Sequence, residues 1–209
     1  MALFGRKKIT IGLDVGSGLV KAVVIDHSGP TPELAKVVIT PLNDTAIVEG
    51  EVMDHGIVAD AIRQTLAATG AKTKHVVAAV GGRDVIIKKI QMERVKEQQA
   101  RELMRWEAEQ HVPFDMDSVE LDFQVLDPDG NGLDMSVLLV AAKRELVEAK
   151  QAMLIEAGAS PSVIDVDAFA LHNAFEANYP EALEGTIALL KSAPEVQDVL
   201  RRFKNESLY

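Results

Sequence analysis

Cysteine is absent from this 209-residue chain, which excludes disulfides and thiolate metal sites outright and is compatible with a reducing compartment. Aromatic residues are scarce at 4%, so a core must be assembled from Val, Ile, Leu, Ala and Met, as in α/β proteins whose strands are buried on both faces. No apolar run approaches the ~18–20 residues that a membrane-spanning helix needs. The start, Met1-Ala2-Leu3-Phe4-Gly5-Arg6-Lys7-Lys8, is basic, but the apolar stretch at 9–15 is too short for a secretory signal and contains Asp14. Those basic residues read as a solvated lead-in to a first strand, with a weak electrostatic contact with anionic lipid as the sharper alternative. Basic excess is also missing. The net charge of −10 and pI near 5.0 argue against a large nucleic-acid footprint.

What is present is an apolar fraction of 47% in a chain long enough for one or two domains. Residues 9–14 and 19–26 read as strands joined by Val15-Gly16-Ser17-Gly18, a link short and glycine-rich enough for a tight hairpin. A third strand is expected at 33–40. Asp54 offers an N-cap to a helix carrying Ile57, Val58, Ala61, Ile62 and Leu66 on one face, and Gly70 ends it. A buried strand follows at 75–80.

The rhythm then changes to strand (85–92), charged helix (95–111), strand (119–126) and strand (135–142). The helix is read with Leu103, Trp106 and Gln110 along its stripe. Trp106, Phe114, Phe123 and Val125 are assigned to packing. The run Asp127-Pro128-Asp129-Gly130-Asn131-Gly132 is a turn by composition. Lys143-Arg144-Glu145 reads as a solvated helix start. After a helix at 145–157 and a short strand at 163–167, Asp165 and Asp167 are expected to cap the helix at 168–178 rather than do chemistry. An apolar strand begins at 186. Beyond it, Pro194 can open a helix bearing Val196, Val199, Leu200 and Phe203 on one side. That segment either covers a strand edge as an amphipathic helix or is a fraying tail.

The most chemical segment is Asp14-Val15-Gly16-Ser17-Gly18-Leu19-Val20-Lys21. An acidic residue at a strand end can hold hydrated Mg2+, glycines let backbone amides approach a phosphate, and a lysine neutralises its charge. Spacing alone favours a plain β-turn, with Asp14 and Lys21 simply exposed.

With Ala22 added, the segment resembles the first phosphate loop of the actin, sugar-kinase and Hsp70 superfamily. That resemblance implies Asp14 as an organiser of Mg2+ through water, Gly16, Ser17 and Gly18 as a phosphate cradle, Lys21 as its charge partner, and ATP or ADP as ligand. The blocks at 106–114, 119–126, 137–145 and 156–171 are similar to PilM proteins of type IV pilus assembly, themselves related to the division protein FtsA. The resemblance runs over nearly all of residues 8–190. It implies an actin-like (ribonuclease H-like) α/β lobe with an inserted strand-helix-strand-strand subdomain. The expected divisions are 1–82 as the first part of subdomain IA and 83–166 as inserted subdomain IC. Residues 167–190 would return to IA and start a second lobe, and 191–209 would be an atypical tail.

The implied role is a cytoplasmic scaffold, peripheral at the inner membrane through its partners, that docks the cytoplasmic N-terminal peptide of PilN. No residues matching the family's second phosphate loop or adenosine loop follow Thr186-Ile187-Ala188-Leu189-Leu190. With the second lobe largely absent, weak or no binding of ATP by the chain alone is expected. Two alternatives compete: an ATPase or phosphotransferase resting on the loop at Asp14, and an FtsA-like scaffold using Val196, Val199, Leu200 and Phe203 as a membrane helix. Glu195, Asp198 and Glu206 dilute the basic face such a helix prefers.

Overall fold

The structure, a computed structural model, describes residues 9–48, 50–184, 187–192, 197–203 and 206–208. The basic lead-in at 1–8 lies outside the described residues. In chain order the elements are β1 (Ile9–Val15), β2 (Leu19–Asp26), β3 (Glu33–Pro41), β4 (Ile47–Val48), β5 (Glu51–Val52) and α1 (His55–Thr69). Next come β6 (His75–Val80), β7 (Val85–Glu93), α2 (Glu97–Glu109), β8 (Val119–Val125), β9 (Asp134–Lys143) and α3 (Arg144–Glu156). The chain continues through β10 (Ser160–Val166), α4 (Asp167–Asn178), β11 (Ile187–Ser192), β12 (Gln197–Phe203) and β13 (Glu206–Leu208). It divides into two compact units, Met1–Ala79 with Ala149–Asp165, and Val80–Glu148 with Val166–Tyr209.

The first unit is built on a five-stranded sheet in the order β10-β6-β1-β2-β3. β1 and β2 form an antiparallel hairpin, β3 adds antiparallel to β2, and β6 runs parallel to β1. Alternation sorts the side chains by face: Val20, Ala22 and Val24 of β2 are buried, while Leu19, Lys21 and Val23 between them are exposed. Helix α1 starts where Asp54 Oδ1 accepts the Ile57 amide at 2.9 Å and stops at Gly70, whose φ of 71° is the left-handed conformation glycine favours. Val58, Ala61 and Ile62 of α1 meet Ile11, Leu13 and Val76 of the sheet, and Met153 and Leu154 of α3 join the same core. Burying side chains the size of Ile62 or Leu154 contributes about 1.5–3 kcal/mol each. Thr65, polar and fully buried there, is satisfied by hydrogen bonds to the Ala61 carbonyl and the Thr40 hydroxyl.

Residues 149–165 group with this first unit, whereas the insert was expected to run to 166. The reason is pairing. β10 takes the edge beside β6, tied by the Ser160 amide to the Lys74 carbonyl at 2.8 Å and by Ser162 Oγ to the Val76 carbonyl at 3.0 Å.

The second unit contains the expected strand-helix-strand-strand run, with a sheet in the order β7-β9-β8, antiparallel throughout. Ile90, Met92, Met135, Val137, Leu139 and Ala141 line its inner face against Ala100, Met104 and Ala108 of α2. This is not the stripe expected for α2. Trp106 is 69% exposed and Leu103 40%, while Ala100, Met104 and Ala108 are the buried residues of the helix. Phe114, Phe123 and Val125 do pack against this core, partly buried.

The helix expected from Pro194 to Phe203 is also corrected. Gln197–Phe203 is the strand β12, antiparallel to β11 on one side and to β13 on the other. A strand without a neighbour leaves a row of unpaired backbone groups, and pairing satisfies those that β11 and β12 turn to each other. Pro194, Glu195 and Val196 lie outside the described residues. A membrane helix at this position therefore has no support. Among the described residues, no helix is long and apolar enough to cross a membrane.

Candidate functional site

The hairpin of β1 and β2 sets Asp14 directly across from Lys21. Side chains opposite each other on an antiparallel pair share a face, and here Lys21 Nζ donates to Asp14 Oδ2 at 3.0 Å. Both side chains remain open to solvent, at 45% for Lys21 and 59% for Asp14. Between them the chain turns through Gly16, Ser17 and Gly18. The Gly16 amide closes the turn on the Leu19 carbonyl at 3.0 Å, and the Gly18 carbonyl accepts the Leu42 amide at 2.8 Å. The turn thus gathers Gly16, Ser17 and Gly18 between Asp14 and Lys21, and the Gly16 N–H is spent inside it.

The folded backbone does not itself require glycine at this turn. A Cβ on Gly16 would sit 3.5 Å from the Leu19 carbonyl oxygen, and one on Gly18 3.8 Å from Asp44 Oδ1, both ordinary contacts. The space those methyls would fill is open to an approaching group. Gly12, not singled out in the sequence, is under more constraint, since a Cβ there would meet Val23 Cγ2 at 3.0 Å. Among the described residues, no three His, Asp or Glu side chains gather to hold a metal ion. Asp14 offers one carboxylate, suited to a hydrated cation held through water. Carboxylate, ammonium and backbone amides fit a Mg2+–phosphate group in kind, on the condition that the Asp14–Lys21 pair opens.

Neither Asp165 nor Asp167 is the N-cap of α4. That position falls to Val166, and Asp167 stands in the first turn, where a negative charge suits the helix dipole. Asp167 has a steric role that the sequence did not reveal. A Cβ on Gly81 would lie 2.7 Å from Asp167 Oδ2, so a larger residue after β6 requires the Asp167 side chain to move.

Lys143 and Arg144 do stand at the start of α3 and stay partly exposed, but each is also held by partners. Lys143 Nζ pairs with Asp84 at 2.6 Å and lies 5.3 Å from the centre of the Phe114 ring. The Asp84 hydrogen bond raises the Lys143 pKa. Arg144 reaches Glu120 at 2.7 Å and the carbonyls of Asp117 and Val119, and its bond to Glu120 raises its pKa in turn. A second guanidinium, Arg94, gathers Asp127 and the carbonyls of Gly132 and Asp134. These residues tie the inserted unit together. The only trace of the Arg94 cluster in the sequence is the turn composition at 127–132.

Comparison with known proteins follows the same lines. The sequence matches the family described as type IV pilus assembly protein PilM over residues 12–190. The structure is similar to that of a PilM-PilN type IV pilus biogenesis complex, with a TM-score of 0.81 and 28% identity over 96% of this chain and 60% of that one. The chain thus spans less than two thirds of the length of that relative. It also resembles the cytoplasmic domain of EpsL, an inner membrane component of the Vibrio cholerae type II secretion system. That match has a TM-score of 0.52 and 12% identity, covering 93% of this chain and 66% of that one. A Bacteroides thetaiotaomicron protein with an actin-like ATPase fold and unknown function gives 0.52 and 8%, covering 100% and 71%. At such identities the last two speak for the fold alone, which is actin-like.

Proposed function

The chain belongs to the PilM family of type IV pilus assembly proteins, and on that premise we propose that it is a cytoplasmic scaffold of the pilus assembly platform at the inner membrane, docking the N-terminal peptide of PilN. The observation that carries this reading is the likeness, across 96% of the chain, to a structure of PilM in complex with PilN. In the same reading the strand-helix-strand-strand unit is inserted subdomain IC and the five-stranded sheet belongs to subdomain IA. Titration calorimetry of the folded chain with a synthetic PilN N-terminal peptide tests it. Saturable one-to-one binding is expected, and no heat from folded protein removes the reading.

The hairpin at Asp14 supports a second property, the holding of a nucleotide's phosphates. Asp14 would orient water on Mg2+, the Ser17 and Gly18 amides with the Ser17 hydroxyl would face the phosphate oxygens, and Lys21 would offset their charge. A bound Mg2+–nucleotide would supply a charged, water-ordering centre. This chain's own residues supply its anchor. We propose binding rather than turnover, because Asp14, the carboxylate the hairpin itself offers, is already paired with Lys21.

A further inference from the structure

Among the described residues, the outer strand β8 has a neighbour, β9, on one side only. The Leu126 amide, just past β8, donates to the Ser136 carbonyl at 2.8 Å, so main-chain groups of even-numbered residues turn toward β9 and those of Leu121, Phe123 and Val125 turn to the free edge. Two further contacts agree with this parity. Arg144 reaches the Val119 carbonyl at 3.3 Å, and Asp122 Oδ1 accepts the Phe123 amide at 2.9 Å from outside the sheet. The Asp122 carboxylate therefore occupies the place that the carbonyl of an adjoining strand would take.

Beside this edge, on the face that carries α2, lies a groove of about 730 Å3 whose lining includes Arg94, Val95, Lys96, Phe123, Val125 and Met135. It exists because α2 packs its Ala100–Met104–Ala108 face over the sheet and leaves Leu121, Phe123 and Val125 only partly covered. The opposite face of β8 carries Glu120, Asp122 and Gln124, all exposed.

We propose that the free edge of β8 and the adjoining groove dock an extended segment of a partner protein in which apolar residues alternate with lysine or arginine. Main-chain hydrogen bonds to Leu121, Val125 and the Phe123 carbonyl hold the incoming strand, as in strand addition generally, and the Phe123 amide joins them once Asp122 Oδ1 gives it up. Its apolar side chains enter the groove against Phe123 and Val125. Its basic side chains fall on the other face, where Asp122 attracts them as opposite charges on paired strands do, Glu120 there being already paired with Arg144. A second copy of this chain is the poorer occupant. Antiparallel pairing of β8 with itself about Leu121 or Asp122 sets acidic side chains against one another, on a chain whose net charge is −10. This docking edge does not depend on whether PilN binds.

The test uses the full chain, isotope-labelled for amide NMR, and a capped nonapeptide alternating valine and lysine. Two controls are a peptide of the same composition with the valines and lysines in separate blocks, and an alternating valine–glutamate peptide. Saturable binding of the alternating lysine peptide is expected, with shifts centred on the Leu121, Phe123 and Val125 amides, and affinity about tenfold or more above either control. Asp122→Lys should invert the preference between the lysine and glutamate peptides, and it touches neither the β9 ladder nor the core. Leu121→Pro, which removes one outward amide, should abolish binding if the chain still folds. Absence of binding, equal binding of the blocked peptide, shifts centred elsewhere, or indifference to Asp122→Lys each overturns the proposal.

Discussion

Arg94 and Asp127 meet across 33 residues of chain, with Arg94 NH2 2.6 Å from Asp127 Oδ2, while Asp127 Oδ1 takes the Ser136 amide at 2.8 Å. The Ser136 amide, and after it the Arg94 guanidinium, favour the ionised carboxylate and hold the Asp127 pKa below its ordinary 3.8. A carboxyl lowered on folding contributes stability above its unfolded pKa and loses it as pH falls through the folded one. Asp127→Asn should therefore flatten the acid limb of the stability curve below about pH 4 and change it little near neutrality beyond a constant offset. Thermal unfolding of both proteins from neutral to acid pH is the measurement. Parallel acid limbs would show that Asp127 is not the group responsible.

The Asp14–Lys21 pair is exposed and spans one hairpin, so it adds little to folding. Lys21→Met and Asp14→Asn should each change stability by no more than about 1 kcal/mol. Their effect belongs to ligand binding. If the hairpin holds phosphate, Mg2+–ATP binding measured by titration should be weak in the unaltered chain and weaker still in Lys21→Met. Stronger binding in Lys21→Met would reject the phosphate role for that lysine.

Three glycines separate packing from ligand approach. Gly81→Ala forces a Cβ to within 2.7 Å of Asp167 Oδ2 and should destabilise by about 1–3 kcal/mol. Gly16→Ala and Gly18→Ala meet only ordinary contacts at 3.5 and 3.8 Å and should fold with nearly unchanged stability. A methyl beside the turn would still narrow the approach to the Ser17 and Gly18 amides. Chemical denaturation of the three variants decides, and a large loss in Gly16→Ala would mean that the turn needs glycine for its own sake.

Local chemistry made much of this architecture readable. Asp54 and Gly70 frame α1 because a side-chain carboxylate satisfies an orphan amide and a left-handed residue ends the helix, both properties of single residues. Gly16 and Gly18 announced the hairpin in the same way. Features set by long-range partners were not readable. The fate of 197–203 depended on β11 offering an unpaired edge, which residue-by-residue periodicity does not report. The Arg94 cluster joins three separate stretches of chain, and only one of them, the turn at 127–132, has a distinctive composition. The site shows the same division. Asp14 and Lys21 were legible as a pair because they flank one turn, whereas the approach of Asp167 to Gly81 spans most of the inserted unit.

Helix α2 contains two stripes compatible with its period, Ala100–Met104–Ala108 and Leu103–Trp106–Gln110, and size favours the second as a core while the fold uses the first. The sheet beneath presents Ile90, Met92, Met135 and Leu139, and the stripe that packs on them sets one long side chain, Met104, between two alanines. Trp106, the chain's single tryptophan, is left 69% exposed. Trp106→Ala should then change stability by no more than about 0.5 kcal/mol, whereas Leu139→Ala, from a fully buried side chain, should cost about 2–5 kcal/mol. The same exposure makes Trp106 a reporter. Its fluorescence in the folded chain should be quenched by acrylamide nearly as well as in urea, and a protected indole in the native state would mean that α2 buries the other stripe.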